Sequence, residues 1–174
     1  MEKENVRGKK YYILISCIVA ILVAFDQITK ELAILFLKGK EEVAIIKEVF
    51  VLQYLENQGA AFGMFEGKQW VFVISFLVLM VLALVFFYRV PMDKKFRLLR
   101  ICILFIVAGA IGNSIDRFRH QYVVDFFYFK LINFPIFNMA DIYVTVATIF
   151  IILLIMFYYK EADIERLLNS RKRK

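Results

Sequence analysis

Four aspartates stand at the borders of long apolar segments, where an ionised carboxylate is costly. They are Asp26, Asp116, Asp125 and Asp141. Ionisable groups close to membrane hydrocarbon are functional candidates by default. Two carboxyl groups brought close together cannot both ionise easily, so one keeps a proton while the other acts as a base. Such a pair can activate a water molecule and protonate a leaving amine, which is the chemistry of amide hydrolysis.

Asp125 and Asp141 are the best candidates for such a pair, although each also has a simpler interpretation. Asp125 lies in the aromatic stretch VVDFF, where an acid is unusual, but it could be an outward-facing strand charge in water. Asp141 stands three residues after Asn138, and this spacing is typical of a helix capping box. Sequence spacing alone does not establish that the two acids meet.

The other two aspartates have basic neighbours. Asp26 and Lys30 are four residues apart, so they share a helix face and could form a simple ion pair. Asp116 precedes Arg117, which allows an ion pair there as well. Both pairs could instead support a site or contact a substrate.

A stripe of small and polar residues runs along the third apolar segment. Gly109, Gly112, Asn113 and Asp116 follow the spacing i, i+3, i+4 and i+7, which places them on one helix face. Glycines on such a face let another helix backbone approach closely. We therefore expect Asn113 and Asp116 to face the interior of a helix bundle.

Other catalytic schemes are poorly supported. Cys17 and Cys102 both fall inside apolar runs and are expected to be small buried hydrophobes. His120 is the one histidine of the chain, which leaves too few ligands for a zinc peptidase. Ser114 and His120 are six residues apart, which does not align them on one helix face.

Composition assigns the chain to membrane proteins. Of its 174 residues 61% are hydrophobic, and the mean hydropathy is +0.67. Transmembrane helices, which need about 20 residues each, are predicted at about 11–30, 70–88, 98–116 and 138–159. We expect an all-α membrane protein with one domain covering residues 1–174.

Basic residues predict the orientation. Residues 1–10, 89–100 and 160–174 carry 15 of the 23 Lys and Arg, and such segments stay in the cytoplasm. Both termini are therefore expected inside, with the loops around 31–69 and 117–136 outside and all four aspartates at the outer face. This clustering also makes nucleic-acid binding a poor explanation of the net charge of +7.

The outer loop 37–69 and the segment after the third helix are rich in β-branched and aromatic residues. Residues 43–54 and 122–129 are expected to be strands, which suggests a small sheet seated on the membrane above the helices. Residues 59–67 could form a turn or a short surface helix. We expect this segment to close over a substrate and exclude water.

Five short blocks carry a resemblance to a known family. They are DQITK (26–30), NQGAAF (57–62), GNSIDR (112–117), VVDF (123–126) and FNMAD (137–141). In this order they resemble the conserved blocks of lipoprotein signal peptidase, also called signal peptidase II. The family departs from this chain at two points: it often has Gly-Gly where Ala108-Gly109 stands, and Ser where Ile142 stands.

The resemblance implies a bacterial aspartic endopeptidase of the cytoplasmic membrane, with four transmembrane helices and a small extracytoplasmic β-cradle. It implies cleavage of prolipoproteins just before the diacylglyceryl-modified cysteine, without metal or cofactor, and inhibition by globomycin. The expected partners are the lipidated substrate and membrane lipids, with no nucleic acid and a monomeric enzyme. The catalytic dyad would be Asp125 and Asp141. The supporting residues would be Asp26, Lys30, Asn57, Gly59, Asn113, Asp116, Arg117 and Asn138.

Two rival functions make different predictions. A small transporter or channel subunit would place ionisable groups at several depths, whereas here they gather at one face. A four-helix scaffold without catalysis would tolerate Asp125→Asn and Asp141→Asn, whereas a peptidase would not.

Overall fold

Four long apolar helices dominate the computed structural model, which describes residues 8–59 and 69–168. The helices are α1 (Lys9–Leu37), α2 (Gln69–Arg89), α3 (Arg97–His120) and α4 (Met139–Leu153). A 3-10 turn (Lys94–Phe96) leads into α3, and a π-helical turn (Leu154–Tyr158) continues α4. Each of the four helices is long and apolar enough to cross a membrane when α3 is counted from its 3-10 turn and α4 through its π-helical turn. Together with a small sheet, these helices confirm the predicted fold class.

The outer surfaces of the helices are apolar and suited to contact with lipid. In the most apolar stretch of α2 no residue is buried by the rest of the protein, and in that of α1 only 6% of the residues are buried. Their outward side chains are large and aliphatic, as Ile21, Leu35 and Leu82 illustrate. Backbone polar groups satisfied within each helix, with apolar side chains outside, are what a bilayer requires.

The first helix is longer than the segment predicted to span the membrane. It continues to Leu37, past the expected end near residue 30. The polar residues that suggested a helix end, Asp26 and Lys30, are instead buried against neighbouring helices. The last turns of α1 then pack Ala33 and Leu37 against the sheet.

The third helix lies at the centre and packs against α1, α2 and α4. Its two glycines sit where neighbours approach. A Cβ atom on Gly109 would lie 2.5 Å from the carbonyl oxygen of Ala140 in α4, and one on Gly112 would meet the carboxylate of Asp26 in α1. The predicted stripe is therefore the contact face of α3: Gly109 lets the backbone of α4 approach, and Gly112 leaves room for the Asp26 carboxylate.

The sheet contains β1 (Val43–Ile46), β2 (Phe50–Asn57) and β3 (Val123–Tyr128), all antiparallel in that order. Its register places Leu55 opposite Asp125. Val124 and Phe126 of β3 pack on Ala33 and Leu37 of α1, which seats the sheet on the end of the bundle. Phe137 pairs with Phe127 and so brings the chain back beside β3 just before α4 begins.

The opposite end of the bundle has its own apolar cluster and a short helix, α5 (Glu161–Leu168). The buried members of the cluster are Val90, Phe96, Leu99, Ile103, Leu154, Tyr159 and Leu167. Asp163 of α5 pairs with Lys95, and Arg166 pairs with Asp93 at 2.8 Å. This end of the molecule is therefore fixed independently of the sheet end.

Candidate active site

Asp125 and Asp141 line one cavity of about 1090 Å³ between the sheet and the bundle. Asp125 comes from the middle of β3 and is 1% exposed. Asp141 lies in the first turn of α4. The return of the chain at Phe137 brings α4 beside β3. Two acids that are 16 residues apart in sequence, one on β3 and one at the start of α4, thus line the same cavity.

Two asparagine side chains hold the Asp125 carboxyl. Asn57 Nδ2 donates to Oδ2 at 2.8 Å, and Asn138 Nδ2 donates to Oδ1 at 2.6 Å. Burial raises the pKa of Asp125 to about 7, and the charge of Asp141 adds to the effect. The asparagine hydrogen bonds and the charge of Lys30 oppose the rise. The carboxyl is therefore divided between its two protonation states near neutral pH.

Asp141 is both a helix cap and a wall of the cavity. Its Oδ2 accepts from the Asn138 backbone at 3.1 Å, while Asn138 Oδ1 accepts from the Asp141 backbone at 3.1 Å. The capping box predicted from spacing is thus present. Its other oxygen, Oδ1, accepts from Asn113 Nδ2 at 2.8 Å. Capping fixes the orientation of the side chain and leaves it facing the cavity.

Asn138 connects the two acids. Its amide nitrogen lies within hydrogen-bonding distance of Asp125 Oδ1 and of Asn113 Oδ1, at 3.2 Å for the latter. Its backbone and side-chain oxygen hold Asp141. Asn138 is fully buried, so this geometry is shielded from water. Asn138 therefore orients both candidate catalytic carboxyls through its hydrogen bonds.

A buried cluster of charges lies under the cavity. Lys30 Nζ is 3.0 Å from Asp26 Oδ2 and 3.0 Å from Asp116 Oδ2, and it donates to Asn113 Oδ1 at 2.9 Å. The ion pair of Asp26 with Lys30 therefore exists, but as part of a larger group. In the described part of the chain Asp116 pairs with Lys30, rather than with its neighbour Arg117.

Arg117 and Gly59 lie at the rim of the cavity. The Arg117 guanidinium donates to the carbonyl of Gly59 at 3.3 Å and stacks over the ring of Phe72 at 4.2 Å. The Gly59 amide donates to Asn57 Oδ1 at 3.0 Å. Arg117 thus holds the chain at the entrance of the predicted lid. The lid itself, apart from Gly59, lies outside the described residues.

Two features of the site were not predicted. Gln27 Nε2 donates to Asp116 Oδ1 at 2.9 Å and to Asp26 Oδ2 and the Gly112 carbonyl, both at 3.2 Å. The position of Gln27 inside the block DQITK was the available sequence signal for its role. The i,i+4 spacing indicated only residues 26 and 30. The cavity also has an apolar wall, which no periodicity indicated. Its members include Phe129, Phe134, Pro135, Phe137, Ile142 and Val146.

Across residues 8–59 and 69–168, no cluster of three or more His, Cys, Asp or Glu side chains is arranged to hold a metal ion. The cavity presents several groups that can take part in proton transfer. These are two carboxyls, the asparagine amides that orient them, and a guanidinium at the rim. Such a set can move protons between a water molecule and an amide bond.

Comparison with known proteins adds independent information. Residues 18–157 match the model of the family described as signal peptidase (SPase) II. The lipoprotein signal peptidase of Clostridium tetani (strain Massachusetts / E88) is 41% identical over 151 residues, covering 85% of this chain and 94% of the relative. That of Clostridioides difficile (strain 630) is 39% identical, covering 84% and 95%.

The solved structures give the same picture. A bacterial membrane enzyme solved by the in meso method at 2.3 Å resolution superposes with a TM-score of 0.71 and 31% identity, covering 86% of this chain and 91% of the other. A second, at 1.9 Å resolution, gives a TM-score of 0.69 and 30% identity, covering 91% and 99%. Both fold and sequence are therefore similar over most of the length.

Proposed function

Because the chain belongs to the signal peptidase II family of aspartic peptidases, we propose that it removes signal peptides from diacylglyceryl-modified bacterial prolipoproteins. Cleavage falls just before the lipidated cysteine. One observation carries the assignment to particular residues: Asp125 and Asp141 face the same cavity and are held by the same asparagine, Asn138.

The two carboxyls act as one catalytic unit that shares a proton. The ionised member takes a proton from a water molecule, which attacks the carbonyl carbon of the scissile bond. The protonated member donates its proton to the carbonyl oxygen, which gives a neutral gem-diol. As this intermediate collapses and the C–N bond breaks, the first carboxyl passes the proton from the water to the leaving amine, and the second takes a proton back from a gem-diol hydroxyl. The raised pKa of Asp125 supports a shared proton near neutral pH.

The shape of the cavity supports a lipid-anchored substrate. Polar groups, among them Asn57 and Asn113, surround the two acids, whereas Ile142 and Val146 of α4 extend the wall along a membrane-spanning helix. A peptide bond next to a lipidated cysteine must lie close to the lipid surface. A cavity with acids at one end and an apolar wall beside it suits both parts of such a substrate.

The proposed location is the bacterial cytoplasmic membrane, with both termini in the cytoplasm and the acids at the extracytoplasmic face. The excess of Lys and Arg at the ends and in the loop 89–100 supports this orientation. The sheet then forms an extracytoplasmic β-cradle. We also propose that the chain acts as a monomer of one domain, in contact with membrane lipids and without a cofactor.

Asp125→Asn and Asp141→Asn test the dyad. Asparagine keeps the shape of the side chain but cannot exchange protons, so each variant should lose at least about 10²-fold in kcat. The assay is cleavage of a diacylglyceryl-modified prolipoprotein by purified, folded enzyme in detergent. Turnover at the wild-type rate in either folded variant would rule out that residue as catalytic.

Asp163→Asn is a matched control. Asp163 Oδ2 accepts from the backbone amide of Lys160, three residues earlier, at 2.9 Å, just as Asp141 Oδ2 accepts from that of Asn138. It stands in α5 at the other end of the bundle. This variant replaces a carboxylate in a similar capping contact and should still cleave at the wild-type rate.

A further inference from the structure

Lys30 is a buried cation with more contacts than a helix ion pair needs. The side chain is 2% exposed and lies within 3.0 Å of both Asp26 and Asp116, which are also buried. Burial of three charges is costly unless nearly every oxygen and proton finds a partner. The partners of the two carboxylates therefore indicate what the cluster does beyond joining α1 to α3.

Each carboxylate of the cluster also accepts from one backbone amide next to a dyad acid. Asp26 Oδ1 accepts from the amide of Ala140 at 2.9 Å, and Ala140 precedes Asp141. Asp116 Oδ2 accepts from the amide of Val124 at 3.1 Å, and Val124 precedes Asp125. One cation thus holds two anions, and each anion holds the backbone that carries one catalytic group.

A third connection runs through Asn113. Its Oδ1 accepts from Lys30 at 2.9 Å, and its Nδ2 donates to Asp141 Oδ1 at 2.8 Å. The positive charge of Lys30, with the Asn138 amide at 3.2 Å from the same oxygen, therefore favours the orientation in which the Asn113 nitrogen faces Asp141. Without it, the amide could rotate and present an oxygen to the carboxylate, which would repel it.

From these contacts we propose that Lys30, Asp26 and Asp116 are positioning residues for the dyad. The cluster sets the relative placement of β3 and the start of α4, and so the geometry in which Asp125 and Asp141 share a proton. This inference rests on the proposed function, since it presupposes that these two acids are catalytic. Displacement of a catalytic group by about 1 Å can cost about 10²-fold in rate.

The alternative is that the cluster only fastens helices together. It would then affect stability, and each molecule that remained folded would turn over normally. A positioning role instead predicts a lower kcat with little change in KM, because the substrate-binding walls of the cavity keep their own contacts. The two possibilities therefore differ in a measurement made on folded enzyme.

The test uses Asp26→Asn, Asp116→Asn and the double variant Lys30→Met with Asp26→Asn. The double variant keeps the net charge of the cluster, which guards against misfolding from unbalanced anions. We expect kcat to fall about 10²-fold, with KM within about threefold of the wild type. Folding is checked by thermal unfolding, with Asp163→Asn as the control for loss of an ion pair far from the site.

The pH profile gives a second readout, which reports the charge that the cluster places near Asp125. Asn57 and Asn138 donate hydrogen bonds to Asp125. The charged groups that act on it are Asp141 from α4, Arg117 from α3 and Lys30 from α1, and the titratable Glu56 and Tyr128 line the same cavity. Removing the cation by Lys30→Met should move the alkaline limb of kcat to higher pH. Removing an anion by Asp26→Asn should move it to lower pH.

The outcomes separate this inference from the proposed function. Inactive Asp125→Asn and Asp141→Asn enzymes, with folded cluster variants that keep wild-type kcat, would overturn the inference and leave the function intact. Active dyad variants would overturn the function itself. A loss of kcat at constant KM in folded cluster variants, the charge-conserving double variant included, would establish the positioning role.

Discussion

Asp141 combines two roles that its sequence context presented as alternatives. The spacing from Asn138 predicted a capping box, and the box is present. The same carboxyl faces the cavity and accepts from Asn113. Local spacing could reveal the cap because it depends on residues three positions apart. It could not reveal the contact with Asn113, which comes from 28 residues earlier in the chain.

Asp125 should make folding depend on pH in a recognisable direction. Its pKa is raised from 3.8 to about 7, so the folded state holds the proton more tightly than the unfolded state. The wild type therefore loses stability as pH rises between these two values. Asp125→Asn lacks this effect, so its Tm relative to the wild type should increase from about pH 5 to about pH 8.

Thermal unfolding in detergent across this range measures the difference. Asp163→Asn provides a control of opposite sign, since hydrogen bonds from Lys95 and the Lys160 amide lower the pKa of Asp163. That carboxylate stabilises the fold at neutral pH and loses its effect as the solution becomes strongly acidic. A Tm difference for Asp125→Asn that stays constant with pH would show that burial does not perturb this group.

The helices were predictable from the sequence where the length of an apolar segment determines their bounds. The second predicted span, 70–88, coincides closely with α2, whereas α1 runs to Leu37 because its polar turn is buried rather than terminal. The π-helical turn (Leu154–Tyr158) and α5 were not foreseen. The π-helical turn lies at the apolar cluster of the far end, where Leu154 is buried. For α5 a short local signal was present, since Ile164, Leu167 and Leu168 follow the spacing i, i+3 and i+4.

The departure at Ala108-Gly109 has a structural explanation at this scale. Close approach to α4 falls on Gly109, whose added Cβ would lie 2.5 Å from the Ala140 carbonyl oxygen and 2.7 Å from Val144 Cγ2. For Ala108, the structure already accommodates a methyl group in full burial. The second glycine of the family pattern is therefore the one that this helix contact requires.

Gly109→Ala should accordingly displace the start of α4. The obstacle at Ala140 is backbone, which cannot rotate away, so we expect a loss of about 1–3 kcal/mol in stability. Because Asp141 follows Ala140, kcat should fall more than KM changes. Gly8→Ala is the control, since its added methyl meets nothing within 4 Å. Wild-type stability and turnover of Gly109→Ala would contradict the packing argument.

The whole molecule has two differently built ends joined by lipid-facing helices. Charged and amide groups hold the sheet end, whereas an apolar cluster with α5 holds the other. The site could be predicted as a set of acids, because each stood out locally as a charge beside apolar sequence. The asparagine hydrogen bonds of the site, and those from the Ala140 and Val124 amides to the buried aspartates, join segments that are distant in sequence. No local sequence pattern could therefore predict them.

Orientation of the whole molecule can be tested by labelling single cysteines. Cys17 and Cys102 are first replaced by alanine, and Lys47→Cys near the sheet or Glu165→Cys in α5 is then introduced at exposed positions. If basic residues keep both termini inside, a membrane-impermeant thiol reagent should label Lys47→Cys in intact cells. It should label Glu165→Cys only after the membrane is opened. The reverse pattern would place the acids on the cytoplasmic side, where a peptidase could not reach a substrate exported across the membrane.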